Sequence, residues 1–373
     1  MGIMVGLPSP SGSEKDLQLN FGKNMTVQVE MRAPHLPAEW HTQSGIQLTW
    51  PHAGTDWAYM LAEVQECFIN IAREIAKREL LLIVTPEPEE VKKQIAATVN
   101  MNNVRFLECA TNDTWARDHG AITMIDTGTP SLLDFTFNGW GLKFASELDN
   151  QITKQAVEAG ALKGQYIDRL DFVLEGGSIE SDGMGTLLTT SECLLSPQRN
   201  GRLNQVEIEE YLKSTFHLQK VLWLDHGYLA GDDTDSHIDT LARLAPDDTI
   251  LYVKSYRPDD THTPDLDAME AELKELRTPD GNPYNLIALP LPEPIYDTDG
   301  ERLPATYANF LITPRTVLMP TYAQPDLDRM AAQMLQIAFP DREIVGVDCR
   351  ALIRQHGSLH CATMQLPAGV LRI

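Results

Sequence analysis

The sequence predicts an α/β chain built from a repeated module, and three observations predict it. Helix candidates begin near Glu147, Gln205, Asp265 and Asp326, so successive starts fall about 60 residues apart, a spacing typical of modular repeats. Each of these helices is followed by a strand candidate, and further strand candidates precede the next helix. The strands therefore cluster in twos and threes between helices, which argues against a doubly wound parallel sheet. No two modules share obvious sequence identity, so the repeat is one of structure. A ring of modules around one central pocket is expected, not two independent domains.

Residues 1–25 mix Gly, Ser, Pro and charges without an apolar core of secretory length. They read as a loose N-terminal extension, leaving 26–373 as one domain. Trp57, Leu61, Val64, Phe68, Ile71 and Ile75 recur at spacings of three and four, which predicts a helix with one buried stripe, capped by Thr55 or Asp56. Leu80–Val84 reads as a buried strand stopped at Thr85-Pro86. Further strands are predicted at Val104–Cys109, Ala121–Ile125, Leu132–Phe137, Gly185–Thr190, Lys220–Leu224 and Thr249–Val253. Four more follow at Asn285–Leu289, Asn309–Thr313, Thr316–Met319 and Glu343–Val347. The interval from Asp56 to Glu147 is longer than the later ones, so the repeat is imperfect there.

The chain has 373 residues, 43% hydrophobic and 22% charged, a globular profile large enough for a sizeable core. Lys and Arg number 30 against 53 Asp and Glu, a formal net charge of −23. So acidic a chain is unsuited to nucleic acid and suited to a cationic small molecule. No run approaches membrane-spanning length. The five cysteines, Cys67, Cys109, Cys193, Cys349 and Cys361, are odd in number and form no CxxC pair. Neither a disulfide framework nor a zinc knuckle is expected, and a reduced, cytoplasmic setting is. The first four sit in or beside apolar runs and read as buried fillers. Whether the chain forms a homo-oligomer is left open.

Cys361 differs because a Gly357-Ser358 loop leads into it and His360 precedes it. Neighbours on a strand point to opposite faces, so His360 reads as structural and a distant histidine is needed. His237 is the best candidate. In Asp232-Asp233-Thr234-Asp235-Ser236-His237-Ile238-Asp239, an extended chain would put Asp233, Asp235, His237 and Asp239 on one face, with Ile238 and Leu241 facing a core. A carboxylate beside a histidine suits an acid that later serves as a base. An acidic surface loop and a metal site are the other readings of this segment. The EF-hand version of the latter fails, because Ile238 stands where that loop needs glycine. In Trp115-Ala116-Arg117-Asp118-His119-Gly120, Trp115 could stack on a flat cation while Asp118 pairs with it. The alternative is an Arg117–Asp118 pair with Trp115 in the core. The glycine-rich Leu174–Thr186 turn lacks the P-loop Lys-Ser/Thr and the dinucleotide spacing, and His356 and His360 lack the Glu of a zincin. One thiol, one imidazole and two carboxylates together suit attack on the carbon of a guanidinium.

The chain resembles the agmatine deiminase and bacterial-type peptidylarginine deiminase family of the guanidino-group modifying superfamily. The motifs run from Pro37-Ala38-Glu39-Trp40 to Gln365-Leu366-Pro367. They include Leu48–Pro51, Trp115–Gly120, Phe137–Gly141, the Glu175-Gly176-Gly177 core, His237-Ile238-Asp239, Tyr307–Phe310 and His360-Cys361. The resemblance implies the pentein fold, a five-bladed pseudo-symmetric α/β propeller of ββαβ-type modules. It implies Cys361 as nucleophile, His237 as general acid/base, and Asp118 and Asp239 as the guanidinium clamp. Trp115, Asn309, Trp140 and Glu175 would bind substrate, without metal or cofactor. Gln355–Ser358, Ser236, Ala121 and Gln43 depart from the agmatine deiminase pattern. The implied reaction is deimination of agmatine to N-carbamoylputrescine and ammonia. Protein-arginine deimination, an amidinotransferase and a non-hydrolytic relative remain alternatives. A metallohydrolase built on Asp232–Asp239 is a further rival.

Overall fold

The computed structural model describes residues 34–371; the extension expected over residues 1–25 lies outside them. Five small sheets hold the strands among the described residues. Four share one order of elements, an antiparallel strand pair, a helix, and a strand that returns parallel to the second. Ile122–Met124 and Ser131–Thr136 pair antiparallel, helix Ile152–Glu158 follows, and Gln165–Val173 returns. The same order runs through Ile179–Ser181, Thr186–Thr190, helix Gln205–Phe216 and Lys220–Leu224. It recurs through Ala242–Ala245, Thr249–Lys254, helix Thr263–Glu275 and Asn285–Pro290. Leu311–Ile312, Thr316–Thr321, helix Pro325–Ala338 and Glu343–Asp348 repeat it once more.

The remaining sheet is completed from a distance. Thr363–Pro367 pairs antiparallel with Gln43–Thr49, which is followed by helix Leu61–Ala76 and the parallel strand Leu80–Thr85. This sheet carries an additional helix, Pro88–Ile95, and a fourth strand, Val104–Glu108. That insertion is why the interval after Asp56 is longer than the later ones.

Local chemistry explains the elements. The helix predicted from its apolar spacing spans Leu61–Ala76, preceded by a 3-10 turn at Asp56–Met60, and buries Val64, Phe68, Ile71 and Ile75. Leu81, Leu82 and Ile83 are fully buried, as a strand covered on both faces requires. Helix Gln205–Phe216 opens with a capping box between Asn204 and Glu207 and ends at His217 in the left-handed region, φ 55°. No described helix is long and apolar enough to cross a membrane. All five cysteines are free and buried. Cys193 sits in the short helix Ser191–Leu194 directly after strand Thr186–Thr190, beside an apolar strand as expected.

Candidate active site

The chemistry-bearing residues occupy corresponding places in the five modules, each just ahead of a sheet's first strand. Asp118 precedes Ile122–Met124, Gly177 precedes Ile179–Ser181 and Asp239 precedes Ala242–Ala245. Asn309 precedes Leu311–Ile312, and Cys361 precedes Thr363–Pro367. Backbone bonds tie these approaches together: Arg117 N–H donates to the Cys361 carbonyl at 3.1 Å, and His360 N–H to the Asn309 carbonyl at 3.1 Å.

Cys361 lies in a turn with its Sγ 3.2 Å from Asn309 Nδ2 and 3.8 Å from Asp239 Oδ2. Asn309 Oδ1 accepts from the Cys361 N–H at 3.2 Å, and Asn309 Nδ2 donates to the Asp239 carbonyl at 3.3 Å. Asn309 is fully buried beneath the cysteine and fastens it to Asp239. Asp118 Oδ2 accepts from Trp140 Nε1 at 2.9 Å, and its Oδ1 accepts from the Gly177 N–H at 3.0 Å. His237 Nδ1 stands 3.7 Å from Asp118 Oδ1.

The segment around His237 is not extended, contrary to the alternation argument. Asp235 and Ser236 both have positive φ, 62° and 61°, and Ile238–Leu241 forms a short helix. Asp232 holds the turn, accepting from Thr234 Oγ1 at 2.6 Å and from the Ser236 N–H at 2.7 Å. Asp235 therefore points to Arg199 and Lys143, while His237 and Asp239 are fully buried. Ile238 and Leu241 face the core as expected. Arg117 does not pair with Asp118; it lies 4.0 Å from Glu39 and bonds Gln365.

Three buried polar atoms here have no hydrogen-bond partner: both ring nitrogens of His237 and Oδ1 of Asp239. Orphaned buried groups are rare, and three on two neighbouring residues of one segment mark where a hydrogen-bonding ligand belongs. Trp115, Asp118, Trp140, Phe144 and Cys361 line a small pocket. Asp233 and His356, both partly exposed, stand at its edge. Glu175 is not on the pocket wall. It is fully buried, with Arg199 Nε at 2.9 and 3.0 Å from its oxygens.

Burial dominates the electrostatics. It pushes the Cys361 thiol well above its ordinary range, helped by the charges of Asp239 and Asp118. It lowers His237 to about 3, and raises Asp118 well above the carboxylate range, with Asp239 adding to the rise. For Asp239 burial works upward too, but the hydrogen bond and charge of His360 outweigh it and the net shift is down. The free site thus holds an uncharged thiol and a neutral imidazole. The imidazole stays uncharged because a fully buried ring has no water to solvate its charge.

Two clusters bring metal-type ligands within 4.8 Å, Glu175 with Cys193 and His237, and Glu39 with Glu180 and His360. In each a buried arginine, Arg199 or Arg243, already supplies positive charge to the carboxylates. The carboxylates of Asp232–Asp239 do not converge either, since each answers to a different donor.

Residues 35–367 match the Porphyromonas-type peptidyl-arginine deiminase family. The chain belongs to that family. It is 32% identical over 357 residues to agmatine deiminase from Pseudomonas syringae pv. tomato, covering 90% of this chain and 95% of that protein. A Porphyromonas gingivalis structure solved under the provisional name arginine deiminase is 50% identical, with a TM-score of 0.86 over 91% of this chain and 100% of that one. The cysteine-to-serine variant of C. jejuni agmatine deiminase with substrate bound is 37% identical, with a TM-score of 0.84 over 91% and 98%.

Sequence reasoning missed Asp113, Phe144 and His356 on the pocket, and Glu39 and Arg243, which hold the structural His360 behind it. Arg243 carried a usable signal, since a lone cation inside the apolar Leu241–Ala245 run needs buried partners.

Proposed function

We propose that the protein hydrolyses the guanidinium group of agmatine, releasing N-carbamoylputrescine and ammonia through a covalent Cys361 intermediate. The observation that carries this is the set of unpartnered buried atoms on His237 and Asp239, with Asp239 3.8 Å from the Cys361 thiol and His237 3.7 Å from Asp118. The agmatine deiminases among its relatives support the substrate.

The substrate brings the positive charge that the resting site lacks. Asp118 and Asp239 take the guanidinium nitrogens, and the cation beside Sγ makes the thiolate accessible. His237 accepts the thiol proton as sulfur bonds to the guanidinium carbon. It returns that proton to the departing nitrogen, and the C–N bond breaks to release ammonia. Water then attacks the thiouronium carbon and loses a proton to His237. The C–S bond breaks, the His237 proton returns to sulfur, the remaining hydroxyl proton passes to solvent, and the neutral ureido product leaves. Trp115 and Trp140 wall the flat cation, with Asn309 and Glu175 acting from behind through Cys361 and Arg199. No step calls on a metal or cofactor.

Asp233, partly exposed at the pocket edge, suits the distal ammonium of a small dication. Peptidyl-arginine is the second reading and rests on the family description. The five like-ordered sheets support one pentein propeller of five blades, a single catalytic domain over 26–373. The free cysteines support a cytoplasmic setting.

A ureido-product and ammonia assay with agmatine, free arginine and an arginine peptide decides the substrate. Agmatine turnover that vanishes in Cys361→Ala is expected. Peptide turnover alone would move the protein to the second reading, and turnover retained by Cys361→Ala would refute the nucleophile.

A further inference from the structure

Behind Asp239 lies a buried array of charged groups that never touches the pocket. His360 Nδ1 is 2.7 Å from Asp239 Oδ2, and His360 Nε2 is 2.7 Å from Glu39 Oε2. The ring therefore bridges two carboxylates. Glu39 Oε2 also receives Arg243 Nη2 at 2.6 Å, and its Oε1 accepts from the Ile312 N–H at 2.6 Å. Arg243 is held in turn. Its Nη1 donates to the carbonyls of Ala308 and Phe310 at 3.0 and 2.6 Å, and its Nε lies 2.5 Å from Glu180 Oε1. The guanidinium carbon sits 4.5 Å over the Phe310 ring. Glu180 closes the array by accepting from the Leu244 N–H at 3.1 Å. Every member is nearly or fully buried.

The consequence falls on Asp239. One oxygen is taken by His360, and the other has no partner in the protein. A carboxylate held this way has one orientation and one free oxygen. Asp118 is fixed in a different manner, by one indole and one backbone N–H. The two carboxylates of the clamp thus have separate supports, and only that of Asp239 runs through charged groups drawn from other modules.

We propose that Glu39 and His360, anchored by Arg243, are positioning residues for the reaction, fixing Asp239 so that a single oxygen meets the substrate. Glu39 acts at a distance, through His360, and so influences a pocket it does not line. This rests on the reading of Asp239 as part of the guanidinium clamp. The geometry makes a specific demand: removing the Glu39 charge should matter only while Asp239 is a carboxylate.

The test is a double-mutant cycle in two readouts. Calorimetry measures agmatine binding in the Cys361→Ser protein, alone and with Glu39→Gln, Asp239→Asn and both. Glu39→Gln is expected to weaken binding about tenfold, consistent with a disturbed charged contact. In the Asp239→Asn background it should add less than about twofold. Equal losses in both backgrounds, or no loss at all, would overturn the proposal. The second readout needs no substrate. In protein with Cys361 intact, Glu39→Gln should change the iodoacetamide alkylation rate of Cys361 about threefold or more, and not in the Asp239→Asn background. An unchanged rate would also count against the relay. Failure of Cys361→Ser to bind agmatine, with the alkylation cycle behaving as expected, would sink the substrate reading and leave the relay standing. Melting curves check the fold. If Glu39→Gln does not fold, His360→Asn, which keeps a donor toward Asp239 but cannot reach Glu39, takes its place with the same expectation.

Discussion

Trp140 Nε1 donates to Asp118 Oδ2 at 2.9 Å from a backbone that is left-handed at four successive positions. Gly139, Trp140, Gly141 and Leu142 have φ of 66°, 56°, 86° and 68°. Two of the four are not glycine, and each such residue stores about 1 kcal/mol of strain or more. The turn is held by Asn138, whose Oδ1 accepts from the Gly141 N–H at 2.9 Å. It is also held by Lys143, whose Nζ reaches Asp235 at 2.6 Å. Strain kept in place by a hydrogen bond to a proposed catalytic carboxylate indicates that the indole is there for Asp118. Trp140→Phe keeps the ring and removes only the donor. We expect kcat/KM for agmatine to fall by about ten- to a hundredfold, with melting unchanged within a few degrees. Unaltered kinetics would mean that the Gly177 N–H alone orients Asp118.

The protonation states set a pH expectation. The Cys361 thiol is pushed up and His237 is lowered to about 3, so near neutrality both are uncharged in the free protein. Alkylation needs the thiolate, so its rate should be low at pH 7 and keep rising beyond the usual cysteine value of about 8.5. Iodoacetamide labelling of Cys361, followed by peptide mass and controlled with Cys361→Ala, gives the profile. A rate already flat by pH 7 would indicate a preformed thiolate–imidazolium pair instead.

Glu79 offers a stability prediction away from the site. Both of its carboxylate oxygens are buried without a hydrogen-bond partner, and burial pushes it up to about 8. An unfolded glutamate ionises near about 4.3, so between those values the unfolded chain binds fewer protons than the folded one. Stability must then fall as pH rises through that window and level off above it. Glu79→Gln removes the slope and should stabilise the protein by about 1–3 kcal/mol at pH 8, with no gain at pH 4. Urea unfolding at the two pH values decides. An equal gain at both would assign the effect to packing instead of charge.

Strands with strong apolar runs were legible in the sequence. Lys220–Leu224 appears with the predicted limits, and Leu80–Val84 extends by one residue. Strands whose burial depends on distant partners were not. Gln165–Val173 is polar and largely exposed, and Thr363–Pro367 is recognisable only once paired with Gln43–Thr49 from the other end of the chain. The reactive groups could be picked out by type, as thiol, imidazole and carboxylates. Their support could not, because His360 next to Cys361 looks like a strand neighbour until the turn carries it to Asp239. The same holds at Asp235 and Ser236, where side-chain bonds from Asp232 override the extended pattern.

Gly177 is where backbone and chemistry meet most closely. A Cβ there would lie 2.6 Å from His237 Nδ1, 2.7 Å from Asp118 Oδ1 and 3.1 Å from Asp239 Oδ2. The first two are closer than a Cβ can stand and the third is tight, so the added carbon must displace the imidazole, the Asp118 carboxylate or both. The demand on this residue is one of space, since its φ is not among the positive values. The neighbouring Gly176 differs, because its Cβ would strike the Arg117 carbonyl at 2.2 Å, a backbone clash that threatens the fold. Gly177→Ala should therefore lower kcat/KM by about a hundredfold or more, the scale of an ångström-sized misplacement of reacting groups. The chain should still fold, since the clash is with side-chain ends and not with backbone. Gly176→Ala should instead lower the melting temperature. Kinetics and melting curves of the two variants separate the roles, and a Gly177→Ala protein with near-normal turnover would show that His237 and Asp118 can move apart without loss, which the proposed chemistry does not allow.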